Sequence, residues 1–143
     1  MEFIVSAEDA TRTDLEFLLK VLNLAQKREA YRFRICDTVS RLDPFRTFML
    51  INTILNNVDF PIEVYNHNDF GMASANALAS VRAGAVSLVT SINGIGEGTG
   101  NAAITFRWLD YSDASAPPLV QVVENPIEEF YPKLNSGFRV DYG

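Results

Sequence analysis

Four β-prone runs recur along the chain at intervals of roughly 25–30 residues, and the first three each leave through a polar loop into a helix. Phe3 to Ser6 is the first run. Asp14 then offers an N-cap ahead of Leu15, Leu18, Leu19, Leu22 and Ala25 at helical spacing, which predicts a helix to about Lys27. Phe33 to Cys36 is the second run, and Asp43-Pro44 supplies a cap and a proline at the first helical position before a predicted buried stripe of Phe48, Ile51, Leu55 and Val58. Ile62 to Tyr65 opens the third unit, whose Ala-rich helix spans about Met72 to Ala83 and closes at Gly84. Val86 to Ile92 is the fourth run. Such alternation predicts parallel βα repeats, an α/β fold with right-handed crossovers.

In folds of this kind the loops at the carboxyl ends of the strands carry the chemistry. Those ends hold Glu8 and Asp9, Asp37 and Thr38, His67 to Asp69, and the glycine-rich stretch Asn93 to Asn101. The 143 residues include one His and one Cys and carry a formal net charge of −6. A single Cys excludes an intrachain disulfide framework and any zinc site of several thiolates, and a single His leaves all imidazole chemistry to His67. The acidic balance, without a Lys/Arg cluster, argues against nucleic acid as a partner. No stretch approaches the roughly 20 apolar residues of a bilayer span. The first residues lack the basic lead-in of a secretory signal, so a cytoplasmic location is expected.

Each candidate has a functional and a structural reading. His67 is either a loop histidine paired with a carboxylate or a ligand for a divalent metal, with Asp69 as its outer partner. The glycines from Gly94 to Gly100 serve tight turns or cradle a ligand; neither the Walker nor the dinucleotide spacing is present. Asp37 and Thr38 orient a ligand or cap a turn, and Glu8-Asp9 reads equally as an acidic helix start. Cys36 shares a strand face with Arg34, which would lower its pKa, but a small buried hydrophobe fits the sequence as well. Arg12, at a helix start, calls for a salt bridge to Glu8 or Asp9 or for an anion partner.

Several longer motifs, in order, resemble the homocitrate synthase and isopropylmalate synthase family, nearest to the homocitrate synthases of nitrogen fixation. They are Val5 to Asp14, Cys36-Asp37-Thr38-Val39, Leu42-Asp43-Pro44-Phe45, His67-Asn68-Asp69-Phe70-Gly71-Met72-Ala73, and Asn93-Gly94-Ile95-Gly96-Glu97 with Gly100-Asn101. The resemblance covers about residues 3 to 104. It implies a (β/α)8 barrel in which acetyl-CoA is condensed onto a 2-oxo acid at a divalent metal (Mg, Mn or Zn) and the thioester is then hydrolysed. In the homocitrate synthases the acceptor is 2-oxoglutarate. Position by position it implies His67 and Asn101 as metal ligands, Ser6 and Thr38 as acceptor contacts, and Glu63 and Glu97 as catalytic carboxylates.

The departures from the family pattern are specific. Tyr65 stands where the first metal-binding His is expected, Ser40 replaces a Gly, and Gly98 replaces an Arg. The family's Asp-bearing first strand is not among these residues. The matched motifs correspond to barrel strands five to eight, so residues 1–104 are expected to form half of a barrel. Residues 105–143 form a divergent, irregular tail with strand-like fragments at Leu119 to Val123 and Phe138 to Val140, and with Trp108 available to cover an edge. Such a half is catalytically incomplete alone. It calls for a complementary half-barrel chain or a second copy to cover its edges and supply the missing ligand. A non-catalytic half that only binds its complement is the rival expectation, as is an isopropylmalate synthase-like piece using 2-oxoisovalerate.

Overall fold

The computed structural model describes residues 3–103 and a strand at 122–124. Strands β1 (Ile4–Ala7), β2 (Arg32–Asp37), β3 (Ile62–Asn66) and β4 (Ser87–Thr90) alternate with helices α1 (Leu15–Lys27), α2 (Pro44–Asn57) and α3 (Ala73–Arg82), and β5 (Val122–Glu124) follows. All neighbouring strands pair in parallel in the order β1-β2-β3-β4-β5. The order advances in one direction without reversal. This is the winding of a (β/α) barrel rather than of a doubly wound sheet, and it makes the structure a partial barrel.

The helix boundaries follow local chemistry. Asp14 accepts from the Phe17 amide and Asp43 from the Arg46 amide, each cap contributing about 1 kcal/mol. Pro44 begins α2, where its missing N–H leaves no bond unmade. At the end of α3, the Ala85 amide reaches the Ser80 carbonyl and the Gly84 amide the Val81 carbonyl, with Gly84 at φ +108. That turn demands a left-handed residue, and glycine supplies it. The same pair of bonds closes α1, where Glu29 takes the left-handed position at φ 59.

Alternation along the strands separates two faces. Phe33, Ile35, Ile62, Val64 and Leu88 point to the helices and pack with Leu18, Leu22, Ala25, Ile51, Ile54, Ala73 and Ala77 in one core. Each such aliphatic or aromatic side chain contributes about 1.5–3 kcal/mol on burial. The stripe of α2 is rotated from the expected one: Thr47, Ile51 and Ile54 are buried, while Phe48 is exposed. Thr47 is accommodated because its hydroxyl donates to the Asp43 carbonyl. β4 stops at Thr90, short of the expected Ile92, because the chain turns into a short helical turn at Ile92–Gly94 with Asn93 at φ 55.

The strand-like fragment expected at Leu119 to Val123 overlaps β5, which lies in register with β4 through Leu88 and Val122, Val89 and Val123, and Thr90 and Glu124. Trp108 and the Phe138 to Val140 fragment lie outside the described residues.

Candidate functional site at the carboxyl ends of the strands

The face turned away from the helices carries a layered set of polar groups. Register places Ser6 beside Arg34, Arg34 beside Glu63, Cys36 beside Tyr65, and Glu63 beside Ser87. In the deeper layer Glu63 is fully buried. Arg32 Nη1 donates to its Oε2 at 2.9 Å, Arg34 Nε to its Oε1 at 2.6 Å, and the Ser87 hydroxyl to its Oε2 at 2.8 Å. Burial raises the carboxyl's pKa, and the Ser87 hydroxyl and the guanidiniums more than offset it, leaving Glu63 below the ordinary range. As placed, Glu63 is the counter-ion of two arginines, and both of its oxygens accept hydrogen bonds.

The middle layer gathers around Glu8. Its Oε1 accepts from the Ser6 hydroxyl at 3.3 Å and the Cys36 thiol at 3.4 Å, and its Oε2 accepts from the Thr38 hydroxyl at 3.4 Å. Thr38 Oγ1 also accepts from the Asp9 amide at 2.8 Å. The two hydroxyls expected to contact an acceptor therefore meet at one carboxylate that sequence reasoning had left as a helix-start acid. Arg34 lowers the Cys36 pKa as expected but is outweighed: burial, reinforced by Glu8, pushes the thiol up to about 12. The small-hydrophobe reading of Cys36 holds. Arg12 pairs with Asp9 through two nitrogens.

Asp37 holds the β2–α2 loop. One carboxylate oxygen accepts from the Thr11 hydroxyl and the Arg41 amide, and the other from the Leu42 amide. The neighbouring Ser40, where the family pattern has Gly, adopts φ 51. That backbone costs a non-glycine residue about 1 kcal/mol, and the side chain offsets it by a reciprocal pair with Asp69: the Asp69 amide donates to Ser40 Oγ at 3.0 Å, and Ser40 Oγ donates to Asp69 Oδ2 at 3.2 Å. Asp69 also accepts from the Thr99 hydroxyl at 3.0 Å, the main reason its pKa is lowered. Asp69 thus ties the β2–α2 loop to the glycine loop. Among the described contacts no hydrogen bond joins it to His67, although the imidazole is one of the lesser influences that lower the Asp69 pKa.

The upper layer is the glycine loop with the end of β3. The Asn101 amide donates to the Gly94 carbonyl, the Gly100 amide to the Glu97 carbonyl, and the Asn68 amide to the Gly100 carbonyl. His67 and Asn101 face each other across an isolated antiparallel bridge. The Tyr65 and His67 rings lie 4.8 Å apart. Tyr65 donates its hydroxyl to Asn101 Oδ1 at 3.2 Å, and the Glu97 amide donates to the same oxygen at 3.2 Å. Asn101 Nδ2 donates to the Asn66 carbonyl at 3.4 Å. Burial, with the Glu97 charge adding to it, pushes the Tyr65 phenol up to about 12, so it stays protonated. His67 Nε2 is buried without a hydrogen bond and lies 3.7 Å from Glu97 Oε2, a carboxylate that is itself 71% exposed.

Gly96 makes this arrangement specific, since a Cβ there would stand 1.7 Å from Asn101 Oδ1. Gly96→Ala is expected to push the loop off Asn101 and lower stability by about 1–3 kcal/mol. Urea unfolding measures it, and an unchanged midpoint would contradict the packing of the loop on that amide.

The six residues expected from sequence are therefore distributed over three layers. His67, Asn101 and Glu97 come together, Ser6 and Thr38 meet at Glu8, and Glu63 lies below in an ion-pair network. Glu8 and Tyr65 join them as neighbours. Glu8 was recoverable only through strand register, because its partners are 28 and 30 residues away for Cys36 and Thr38. Among the described residues no helix is long and apolar enough to cross a membrane, and no group of three or more His, Cys, Asp or Glu side chains is placed to hold a metal ion.

Residues 1–107 match the HMGL-like family. 2-isopropylmalate synthase 2 of Caldanaerobacter subterraneus subsp. tengcongensis is 52% identical over 100 residues, covering 70% of this chain and 26% of that protein. Homocitrate synthase 1 of Nostoc sp. is 51% identical over the same length, with the same coverage of both chains. An (R)-citramalate synthase of Methanocaldococcus jannaschii is 48% identical, covering 70% and 20%. The chain thus spans about a quarter of the length of these relatives, or less. Among solved structures, the carboxyl transferase domain of Rhizobium etli pyruvate carboxylase superposes with a TM-score of 0.59 at 19% identity, over 72% of this chain and 18% of that one, a likeness of fold.

Proposed function

Because the chain belongs to the HMGL-like family, we propose that it is one part of an acyltransferase barrel that joins the acetyl group of acetyl-CoA to a 2-oxo acid, and that it works only with a complementary chain. The observation that carries this is the placement of the matched motifs: Thr38, His67, Glu97 and Asn101 all fall at the carboxyl ends of consecutive parallel strands or in the loops that follow them. That is where a (β/α) barrel does its chemistry.

Claisen-type condensation needs a base at the acetyl methyl, a means of stabilising the alkoxide formed from the ketone, and water to release the product from CoA. Glu97 is an exposed carboxylate on a glycine-framed loop beside His67, and is the residue we assign to proton transfer. Ser6 and Thr38 present hydroxyls at the rim, where Glu8 holds them and where they orient an acceptor carboxylate once Glu8 turns aside.

The family's divalent metal does not fit the residues as arranged, since Asn101 Oδ1 already accepts from the Tyr65 hydroxyl and the Glu97 amide and Tyr65 is a neutral phenol. No step is assigned to a metal here. 2-Oxoglutarate is the acceptor we assign first. The near-equal identities to an isopropylmalate and a homocitrate synthase make 2-oxoisovalerate the second arm of the test.

The test mixes the full chain with a polypeptide carrying the first four strands of a relative's barrel and follows CoA release from acetyl-CoA with each acceptor, with Mg²⁺ or Mn²⁺ present. Turnover is expected only in the mixture, and Glu97→Gln is expected to lower it by about 100-fold or more, the usual loss on removing a positioned general base. No CoA release from either mixture would sink the proposal.

A further inference from the structure

We propose that the ligand cluster of this site is a cation-free clamp, in which the Tyr65 hydroxyl has taken over Asn101 and fastens the glycine loop to β3 in place of a metal. Both acceptor directions of Asn101 Oδ1 are filled, one by the Tyr65 hydroxyl and one by the Glu97 amide, each at 3.2 Å. Its Nδ2 donates to the Asn66 carbonyl, which fixes the orientation of the amide. Gly96 lies directly over the oxygen, so closely that a Cβ there would overlap it. A carbonyl oxygen with two donors and a covering backbone has no lone pair left for an ion.

What remains is His67 Nε2 with the Glu97 carboxylate 3.7 Å away. Mg²⁺ needs about six oxygen ligands and structural or catalytic zinc three or four protein donors, so two donors hold neither as a resident ion. Tyr65 is therefore a positioning residue. Its hydroxyl and the Glu97 amide meet at one oxygen, so the clamp sets the base of the loop that carries the Glu97 carboxylate. The inference concerns the same site as the proposed acyl transfer and takes only the expectation of a metal from family membership, so direct binding data separate its failure from a failure to reconstitute turnover.

The experiment titrates Mn²⁺ into the full chain and reads the free-ion electron paramagnetic resonance signal, with calorimetry of Zn²⁺ as a second probe. The wild-type chain is expected to show no saturable site up to about 1 mM, the range of weak two-donor contacts. Tyr65→His is expected to release Asn101 Oδ1, add a second imidazole and bind one ion at least about tenfold more tightly. Stoichiometric binding by the wild type near 100 μM, abolished by His67→Ala, overturns the proposal, and so does a folded Tyr65→His chain that binds no better than wild type.

Tyr65→Phe keeps the ring and removes only the hydroxyl. Hydrogen exchange of the Gly94–Gly100 amides is expected to quicken by about tenfold, the loss of one hydrogen bond's worth of local stability. Unchanged protection overturns the clamp even if the histidine variant does not fold.

Discussion

Glu63→Ala is expected to lower the free energy of unfolding by about 3–5 kcal/mol, the cost of removing the carboxylate from a buried ion-pair network. Glu63 is fully buried and the Arg32 side chain is 7% exposed, so the arginine has little water to turn to when the carboxylate is removed. Arg34, at 25% exposure, recovers part of its hydration. A chain of this size is stable by only about 5–15 kcal/mol, so the variant stands near its folding threshold. Ser87→Ala is the gentler companion. It leaves the charges paired and removes one hydrogen bond to a carboxylate, for an expected loss of about 1.5–3 kcal/mol.

The same network sets an acid limit. Glu63 is held below its ordinary value of 4.5 in the folded chain. Its contribution is therefore complete above that value and is lost as pH falls through the lowered one. The stability gap between wild type and Glu63→Ala is expected to be constant near neutrality and to narrow below about pH 4.5. Urea midpoints across that range measure it, and a gap that widens on acidification would contradict the ion pairs.

Asp37→Ala is expected to cost about 2–4 kcal/mol, because three donors converge on that one carboxylate and each loses its partner. Two of the donors are the backbone amides of Arg41 and Leu42, which no side-chain rearrangement replaces. The β2–α2 loop should open with them, and with it the Ser40–Asp69 contact that steadies the glycine loop. Thr11→Val, which removes a single donor, is the control, at about 1 kcal/mol. If the alanine variant unfolds at the wild-type denaturant concentration, the carboxylate is not the keystone of that loop.

Much of this fold was legible from local pattern. Asp14, Asp43-Pro44 and Gly84 marked helix ends because caps are decided within four or five residues of sequence. The register of α2 was not. A helical stripe containing Phe48 is the natural reading until Thr47 is seen to bond back to its own helix and turn inward, leaving the larger ring outside. Buried polar groups were harder still. Arg32 and Arg34 look like an ordinary solvated pair on an alternating strand, and only pairing with β3 shows that both reach the same carboxylate. Glu8 was invisible as a hub for the same reason: each of its cross-strand donors lies on a strand whose register no local pattern fixes. The positions of Tyr65 and Asn101 were noted from motif comparison, but that the two side chains bond to each other depends on how the glycine loop folds back from β4.

The ion-pair layer has an evolutionary reading. Its two guanidiniums, its carboxylate and its serine all come from β2, β3 and β4, so the interior charge of this stretch is balanced among adjoining strands. A recombination breakpoint outside those three strands leaves these three hydrogen bonds within one segment. A gene segment cut outside β2–β4 carries this carboxylate together with both of its guanidiniums and its serine when it is duplicated or placed beside a new neighbour.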